Sequence, residues 1–258
     1  MAMGWLDVDR LVRETFVARV ECHRELGSTN DRARECAAEG KGKLPVLVVA
    51  RRQTAGRGRG EKRWWSGEGS LACSVVVDLE ALGVEPGRRP MVSLAAALAV
   101  VQTVEPLLTA ETVGIHWPND VFAAGRKLAG ILVEGLAGGR FVVGIGLNVN
   151  NTVEEAPTEL RSVATTLHDL TGRRHEPSDI LVGLLRHLET MLRQLASDPD
   201  DVGTLADGRC LQRGRELAVE SGNRVVRGLC AGIAPDGALL LDAPEGRLRL
   251  HSGTVCRQ

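Results

Sequence analysis

The sequence predicts an α+β domain followed by a small all-β domain, and three observations predict it. Residues 178–196 place Leu181, Leu184, Leu185, Leu188, Met191, Leu192 and Leu195 at helical spacing. Residues 113–150 carry short apolar runs, such as Ile131-Leu132-Val133 and Phe141-Val142-Val143. Turn signals at Ala124-Gly125 and Gly138-Gly139 lie between them. Past residue 202 the pattern changes to strand-like runs at 216–219, 224–231, 238–241 and 247–250, parted by glycine-containing turns, which suggests a small β-barrel.

Taken in order, a short opening helix leads into an extended segment over 17–26. Ser28 with Asp31 three residues later reads as a capping box, ahead of a helix through about Glu39 that Gly40 and Gly42 end. Pro45 precedes the buried-strand pattern Val46-Leu47-Val48-Val49-Ala50. Residues 54–69, rich in Gly and Arg and poor in apolar side chains, form a loop, and 70–79 return to a strand. Pro90 opens an Ala/Leu/Val helix from Met91 to about Leu108. The run Ser197-Asp198-Pro199-Asp200-Asp201 breaks the 178–196 helix and sets the domain boundary, giving domains 1–202 and 203–258.

Composition narrows the function. With 43% hydrophobic and 25% charged residues the 258-residue chain is ordinary for a globular protein, and a formal net charge of -1 offers no bulk field for nucleic acid or an acidic membrane. The segment before residue 14 is charged and lacks the apolar core of a signal peptide, while the apolar stretch 94–104 is interrupted by Gln102 and too short to span a bilayer. The six cysteines show neither a CxxC pair nor zinc spacing. A cytoplasmic enzyme or binding protein follows. Lysine is scarce (Lys41, Lys43, Lys62 and Lys127) where arginine is abundant, so each lysine draws attention.

The most unusual segment is Gln53-Thr54-Ala55-Gly56-Arg57-Gly58-Arg59-Gly60-Glu61-Lys62-Arg63-Trp64-Trp65, which holds two of the four tryptophans. Glycine permits close approach to a ligand, arginine offers forked donors to carboxylate or phosphate, and tryptophan offers a flat face. The segment reads as a loop that folds over an anionic ligand bearing an aromatic group, such as a nucleotide. The alternatives are a solvated arginine-rich loop and an RGG-like nucleic-acid contact. His116-Trp117-Pro118-Asn119-Asp120 reads as a turn between strands. Lys127 enters an apolar strand and needs either water or an anionic partner for its charge. Neither GxxxxGK[ST] nor a strand–GxGxxG–helix occurs.

Five motifs in order, Ser28-Thr29-Asn30, GRGRG at 56–60, WPND at 117–120, RKLAGIL at 126–132 and GIGLNVN at 144–150, closely resemble the biotin–protein ligase family. The likeness runs from about residue 25 to the end, since the C-terminal runs suit that family's SH3-like domain. It implies a class II synthetase-like catalytic domain with a mixed sheet and flanking helices. It implies a ligase that uses ATP, with Mg²⁺, to convert biotin into biotinyl-5′-AMP and then transfers biotin to a lysine of a biotin carboxyl carrier protein. By the same resemblance Ser28, Thr29, Asn30, Gln53, Arg57, Gly58, Arg59, Lys127 and Gly130 would hold biotin. Arg57, Trp64, Asn119, Lys127 and Asn148 would face the nucleotide, and Lys127, Arg57, Arg59 and Asp120 would carry the chemistry. No metal ligand follows from the sequence. His116 and Glu61 depart from the pattern, standing where the family usually has a basic and a small or basic residue. About two dozen residues precede Ser28, too few for the helix-turn-helix of the family's repressor members, so a monomer or homodimer without sequence-specific DNA binding or membrane contact is expected. Lipoate–protein ligase or octanoyltransferase is the nearest rival reading.

Overall fold

In the structure, a computed structural model that describes residues 4–40, 43–222 and 224–256, seven strands form one mixed sheet. They are β1 (Arg19–Leu26), β2 (Val46–Gln53), β3 (Leu71–Asp78), β4 (Val113–His116), β5 (Asp120–Ala123), β6 (Arg126–Gly135) and β7 (Arg140–Leu147), in the order β1-β2-β3-β7-β6-β5-β4. The β1–β2 pair is parallel and every other neighbour antiparallel. Helices α1 (Val8–Glu14) and α2 (Thr29–Glu39) belong to the N-terminal part, and α2 makes the crossover between the two parallel strands.

Alternation along the strands decides which face meets which helix. Val46, Val48, Val76 and Val142 point to one face and pack with Ala33, Cys36 and Ala37 of α2. The opposite parity, including Leu47, Val49, Val75, Val77, Val143 and Ile145, faces the main core with α3 (Val92–Val104) and α6 (Pro177–Ser197). Helix α3 is apolar nearly all round because it lies between the sheet and α6. The segment Pro86–Leu107 is therefore long and apolar enough to cross a membrane by composition, yet its apolar side chains are spent inside the fold.

Several expectations are refined. The α3 helix is flanked by 3₁₀ turns at Pro86–Met91 and Glu105–Leu107 rather than running from Met91 to Leu108. Ser28 holds the N-cap position of α2 without capping it through its side chain, so the capping box does not form. The Thr29 N–H donates to Gln53 Oε1 at 2.7 Å. Gly40 ends α2 in the left-handed conformation, while Gly42 lies outside the described residues. The hairpin turns fall where expected, with positive φ at Ala124 and Gly125 and at Gly138 and Gly139.

Two short helices, α4 (Thr158–Arg161) and α5 (Leu167–Thr171), precede α6, and α7 (Pro199–Gly208) follows it. The helix α7 runs across the expected boundary at 202/203. Pro199 terminates one helix and opens the next, because a proline lacking its N–H is well placed in a first turn. Residues 209–211 then lie alongside β4, with Ile115 N–H donating to Arg209 O (2.7 Å) and Leu211 N–H to Ile115 O (3.0 Å). The sheet edge is thereby covered.

The C-terminal strands are β8 (Glu216–Ser221), β9 (Arg224–Ile233), β10 (Leu239–Ala243), β11 (Gly246–Leu250) and β12 (Thr254–Val255), in the order β11-β10-β9-β8-β12. The expected barrel appears as this open antiparallel ladder; among the described residues no ladder joins β11 to β12. Its inner residues, Val219, Cys230, Ile233, Leu239 and Leu241, merge with the main core.

Leu188 is fully buried in α6. Leu188→Ala should lower unfolding free energy by about 2–5 kcal/mol, the cost of a large-to-small change in a close-packed interior. A urea titration followed by far-ultraviolet circular dichroism measures it.

Candidate active site

The face of the sheet that α2 covers is covered only in part. Past the first turn of α2, registers across four strands place Ala72, Gly146, Gly130 and Asp120 in one row. The next row carries Ser74, Gly144 and Leu132. Small residues thus make a trough, and around it lies a cleft of about 1470 Å³. Its walls include Ser28, Gln53, the 57–65 segment, the 116–120 turn, Lys127, Asn148 and, from the C-terminal sheet, Glu216 and Val255. The volume exceeds that of an ordinary small-molecule pocket and suits a nucleotide together with a second acid.

The trough is defined by what would fill it. A methyl at Gly144 would overlap the Asn30 carboxamide, and one at Gly146 would overlap the Trp64 indole. One at Gly130 would lie 3.1 Å from Trp64 Cζ3 and 3.3 Å from Lys127 Nζ. The GIG motif and Gly130 are therefore needed for close approach.

At the α2 end, polar groups form a connected set. Gln53 Oε1 accepts from the Thr29 N–H (2.7 Å) and the Thr29 hydroxyl (3.1 Å). The Ser74 hydroxyl donates toward Asn30 Oδ1 (2.7 Å) and lies 2.8 Å from Thr29 Oγ1. Asn30 Nδ2 donates to Leu132 O (3.3 Å) and Glu134 Oε2 (2.7 Å). Ser28 and Asn30 are buried, and every side-chain group of Asn30 is held, so its carboxamide has one orientation. Ser74 and Glu134 escaped the sequence reading. The signal available was one polar residue in the apolar run Leu71-Ala72-Cys73-Ser74-Val75 and one acid closing Ile131-Leu132-Val133.

The glycine/arginine segment is a tight hairpin. Gly58 N–H donates to Lys62 O (2.8 Å), Trp64 N–H to Gly56 O (2.9 Å), and Arg57 bridges Arg63. A side chain at Gly56 would meet Trp64 O at 2.6 Å. The hairpin delivers Trp64 to the trough and Arg59 to the far wall. Arg59 Nη1 donates to Asn119 Oδ1 (3.2 Å) and Gly253 O (3.1 Å), joining the hairpin to the 116–120 turn and to the C-terminal sheet. Arg57 is engaged elsewhere, by Asp31 Oδ1 (2.7 Å) and the Glu134 carboxylate (2.9 Å). Glu61 is exposed at the hairpin tip.

Lys127 lies along the trough with its Nζ 5.7 Å from the Trp64 ring centroid and 2.7 Å from Asp120 Oδ1. The latter is a contact ion pair rather than an aligned hydrogen bond, and it answers the need of a half-buried ammonium for an anion. Asn119 Nδ2 donates to Ile131 O (2.9 Å), and Asn148 Nδ2 to Thr165 O (3.0 Å), so both asparagines hold the walls. Trp117 is 2% exposed; its Nε1 donates to Gly237 O (3.1 Å) and its N–H to Gln212 Oε1 (2.6 Å). It fixes the turn from beneath. Among the described residues no group of three or more His, Cys, Asp or Glu is placed to hold a metal ion.

A narrow small-residue floor, a polar end, a basic hairpin and a lysine–aspartate pair fit a site that joins a carboxylate to a nucleotide. Comparison with known proteins gives the family. Residues 26–150 match the Biotin/lipoate A/B protein ligase family, and residues 214–256 the Biotin protein ligase C terminal domain. The chain is 36% identical over 257 residues to the biotin--[acetyl-CoA-carboxylase] ligase of Mycobacterium tuberculosis, covering 96% of this chain and 94% of that one. The chain belongs to the biotin protein ligase family.

A second relative, the bifunctional ligase/repressor BirA of Bacillus subtilis, is 31% identical over 238 residues, with 90% of this chain and 72% of the relative covered. The solved biotin protein ligase from Aquifex aeolicus in complex with biotin and ATP superposes with a TM-score of 0.81 at 27% identity, over 93% of this chain and 100% of that one. The family, enzyme class and fold expected from the motifs hold, and the match across both domains favours biotin over the lipoate and octanoate readings.

Within this biotin protein ligase family member, His116 departs in a physically legible way. Its ring stacks on Phe122 at 4.5 Å. Burial pushes the imidazole below its ordinary value, Asp120 opposes, and Lys127 and Arg215 lower it further. His116 is thus neutral at pH 7 and supplies no fixed charge. An imidazole whose folded pKa lies below its unfolded value near 6.5 leaves the unfolded chain binding the extra proton, so stability falls as pH drops below about 6.5. An NMR titration should give His116 a midpoint below 6.5, and His116→Gln should flatten that part of the stability profile. Gly146→Ala should expel Trp64 from the trough, seen as a red-shifted tryptophan emission and weaker biotin binding by about tenfold or more, as expected when a hydrophobic contact surface is lost.

Proposed function

We propose that the chain activates biotin with ATP to form biotinyl-5′-AMP and pyrophosphate, then transfers biotin to one lysine of a biotin carboxyl carrier protein of a carboxylase, releasing AMP. The observation that carries this reading is the trough: a channel of small residues with neutral hydrogen-bonding groups at one end and a lysine at the other. Biotin has this pattern, with a ureido group that needs donors and acceptors, an apolar chain, and a carboxylate that needs a cation.

Ser28, Thr29, Asn30 and Gln53 take the ureido end, Gly130 and Gly58 give close passage to the chain, and Lys127 meets the carboxylate. Trp64 lies between the chain and the adenine side and covers both. Asn119 and Asn148 shape the nucleotide wall. Negative charge develops on the α-phosphoryl oxygens in the first step and on the acyl oxygen in the second, so cations fixed beforehand lower both barriers. Lys127 and Arg59 fill that role; Asp120 holds Lys127 in place. Arg57 contributes through the hairpin. Mg²⁺ would come with ATP and would supply neutralisation of phosphate charge; no group of three or more acidic, histidine or cysteine side chains among the described residues is placed to hold it. No enzyme nucleophile is needed, because the adenylate itself is the activated acyl group, and the hairpin excludes water from it.

The net charge of -1 supports a protein that binds no operator DNA. Six free thiols and the use of ATP support a cytoplasmic site. The chain acts as a monomer or homodimer.

Labelled biotin incubated with an apo carrier domain, ATP and Mg²⁺ should label one lysine, and lipoate should not compete. Absence of both labelling and biotin binding overturns the proposal. Lys127→Ala should reduce adenylate formation, followed by pyrophosphate release, by at least about 100-fold, the size of effect seen when one fixed transition-state partner is removed.

A further inference from the structure

Cys210 lies in the segment that leaves α7, and this segment folds back onto β9 around Cys230. Asp207 Oδ1 accepts from the Ile233 N–H (2.7 Å), and Arg213 pairs with Asp207 and donates to Ala231 O. Gly214 N–H donates to Cys230 O (2.8 Å), and the Cys230 N–H donates to Arg215 O (2.9 Å). Bonds before and after Cys210 thus fasten its segment to Cys230 and the residues that follow it. The two thiols are free and meet each other, Cys230 donating to the Cys210 sulfur. We propose that Cys210 and Cys230 are a peroxide-responsive dithiol that closes into an internal disulfide, stapling the C-terminal sheet to the strip that supports the 116–120 turn.

The two thiols are placed for different roles. Cys210 is half-buried and meets solvent, whereas Cys230 is 1% exposed. The bond from Cys230 draws the Cys210 thiol below its ordinary value; burial opposes, the Gln212 and Arg213 N–H groups assist, and Asp207 opposes. The same bond, burial and the charge of Cys210 push Cys230 up, against the Gly232 N–H and Arg213, so Cys230 keeps its proton. Thiolate is the form that attacks peroxide, which selects Cys210. Burial pushes Cys22, Cys36 and Cys73 up, and they stay thiols. In the first step the Cys210 thiolate attacks one peroxide oxygen and the O–O bond breaks. Hydroxide leaves, gains a proton to become water, and Cys210 becomes a sulfenic acid. In the second step the Cys230 sulfur attacks the Cys210 sulfur, giving up its proton to the departing hydroxide. The S–O bond breaks, the S–S bond forms and a second water leaves. Two thiols and one hydrogen peroxide thus give one disulfide and two waters. The staple lands at a sensitive place. On either side of Cys210, Arg209 O accepts from the Ile115 N–H and the Leu211 N–H donates to Ile115 O. Gln212 Oε1 then holds the Trp117 N–H (2.6 Å) beneath the turn.

The test uses the intact reduced enzyme and needs no ligase turnover, so its outcome is separate from that of the proposed function. After treatment with hydrogen peroxide and then N-ethylmaleimide in denaturant, mass spectrometry should find two of the six thiols unalkylated. Peptide mapping should give one cross-link, Cys210 to Cys230, and dithiothreitol should restore all six thiols. The closure rate should be half-maximal below the ordinary thiol value of about 8.5. Cys230→Ala should raise that midpoint for Cys210 and stop the reaction at a sulfenic acid, trapped by dimedone. Cys210→Ser should give neither product. The closed enzyme should melt about 5 °C above the reduced one, the scale expected when a loop of roughly twenty residues is closed, and Cys210→Ser should show no such shift. Three wild-type results overturn the proposal: oxidation of Cys210 with no cross-link, a cross-link between other cysteines, and a closed form that melts no higher than the reduced one.

Discussion

The site exists because α2 is too short to cover its face of the sheet. Where Ala33, Cys36 and Ala37 lie on Val46, Val48, Val76 and Val142, the face is closed by ordinary apolar packing. Beyond the N-terminus of α2 the strands change to Ser74, Gly144, Gly146, Gly130 and Ala72, and no helix follows. A sheet face left bare would expose backbone and apolar surface. Here Asn30 and Trp64 occupy the space that larger side chains would have filled. Everything else about the site depends on this exchange: two side chains from distant segments stand in for a missing helical turn, and both are placed to meet a ligand.

The second constraint is charge. The chain is nearly neutral overall, so the cleft owes its character to a few local pairs. Lys127 is held by Asp120, and Arg57 by Asp31 and Glu134. Arg59 is different: its guanidinium is held by the neutral oxygens of Asn119 and Gly253. A cation facing neutral acceptors keeps more of its field for an incoming anion than one already neutralised. Of the three basic residues singled out in the sequence, Arg59 is the one whose described hydrogen bonds go to neutral oxygens. Lys127 must share its ammonium with Asp120, which fixes its position near the trough and lets it turn toward a carboxylate that arrives.

Much of this was legible in the sequence because the local rules and the fold agree. The leucine spacing of α6, the type of turn at Ala124-Gly125, and the strand runs of 113–150 each follow from periodicity or from a backbone need for glycine. The motif residues gather in one cleft, as Ser28, Gln53, Arg59, Trp64, Lys127 and Asn148 show. What periodicity could not reveal were partners remote in sequence. Ser28 looked like a cap, but it makes no side-chain cap bond, while the neighbouring Thr29 N–H is claimed by Gln53, 24 residues on from Thr29. Glu134 drew no reading at all, since nothing local marks its meeting with Arg57 across 77 residues. The stretch at the expected boundary can be read in two ways. Pro199 and the acids around it signal an interruption, yet the same residues make a good first turn, so the chain bends and continues as α7.

That bend has a consequence for how the two domains cooperate. Helix α7 delivers residues 209–211 to the β4 edge, and from there Gln212 reaches the Trp117 N–H beneath the 116–120 turn. Gly237 O receives the Trp117 indole, and Gly253 O receives Arg59. Three separate points of the C-terminal region thus touch the turn or the hairpin, one through the polypeptide backbone and two through side chains of the catalytic domain. Gln212 is 1% exposed, so its bond to Trp117 is made in a desolvated place where an unmet N–H is costly. The C-terminal sheet is therefore part of the wall that sets where Asn119 and Asp120 stand. A shift of that sheet would move Arg59 and the turn together, because they are tied to it on both sides of the cleft.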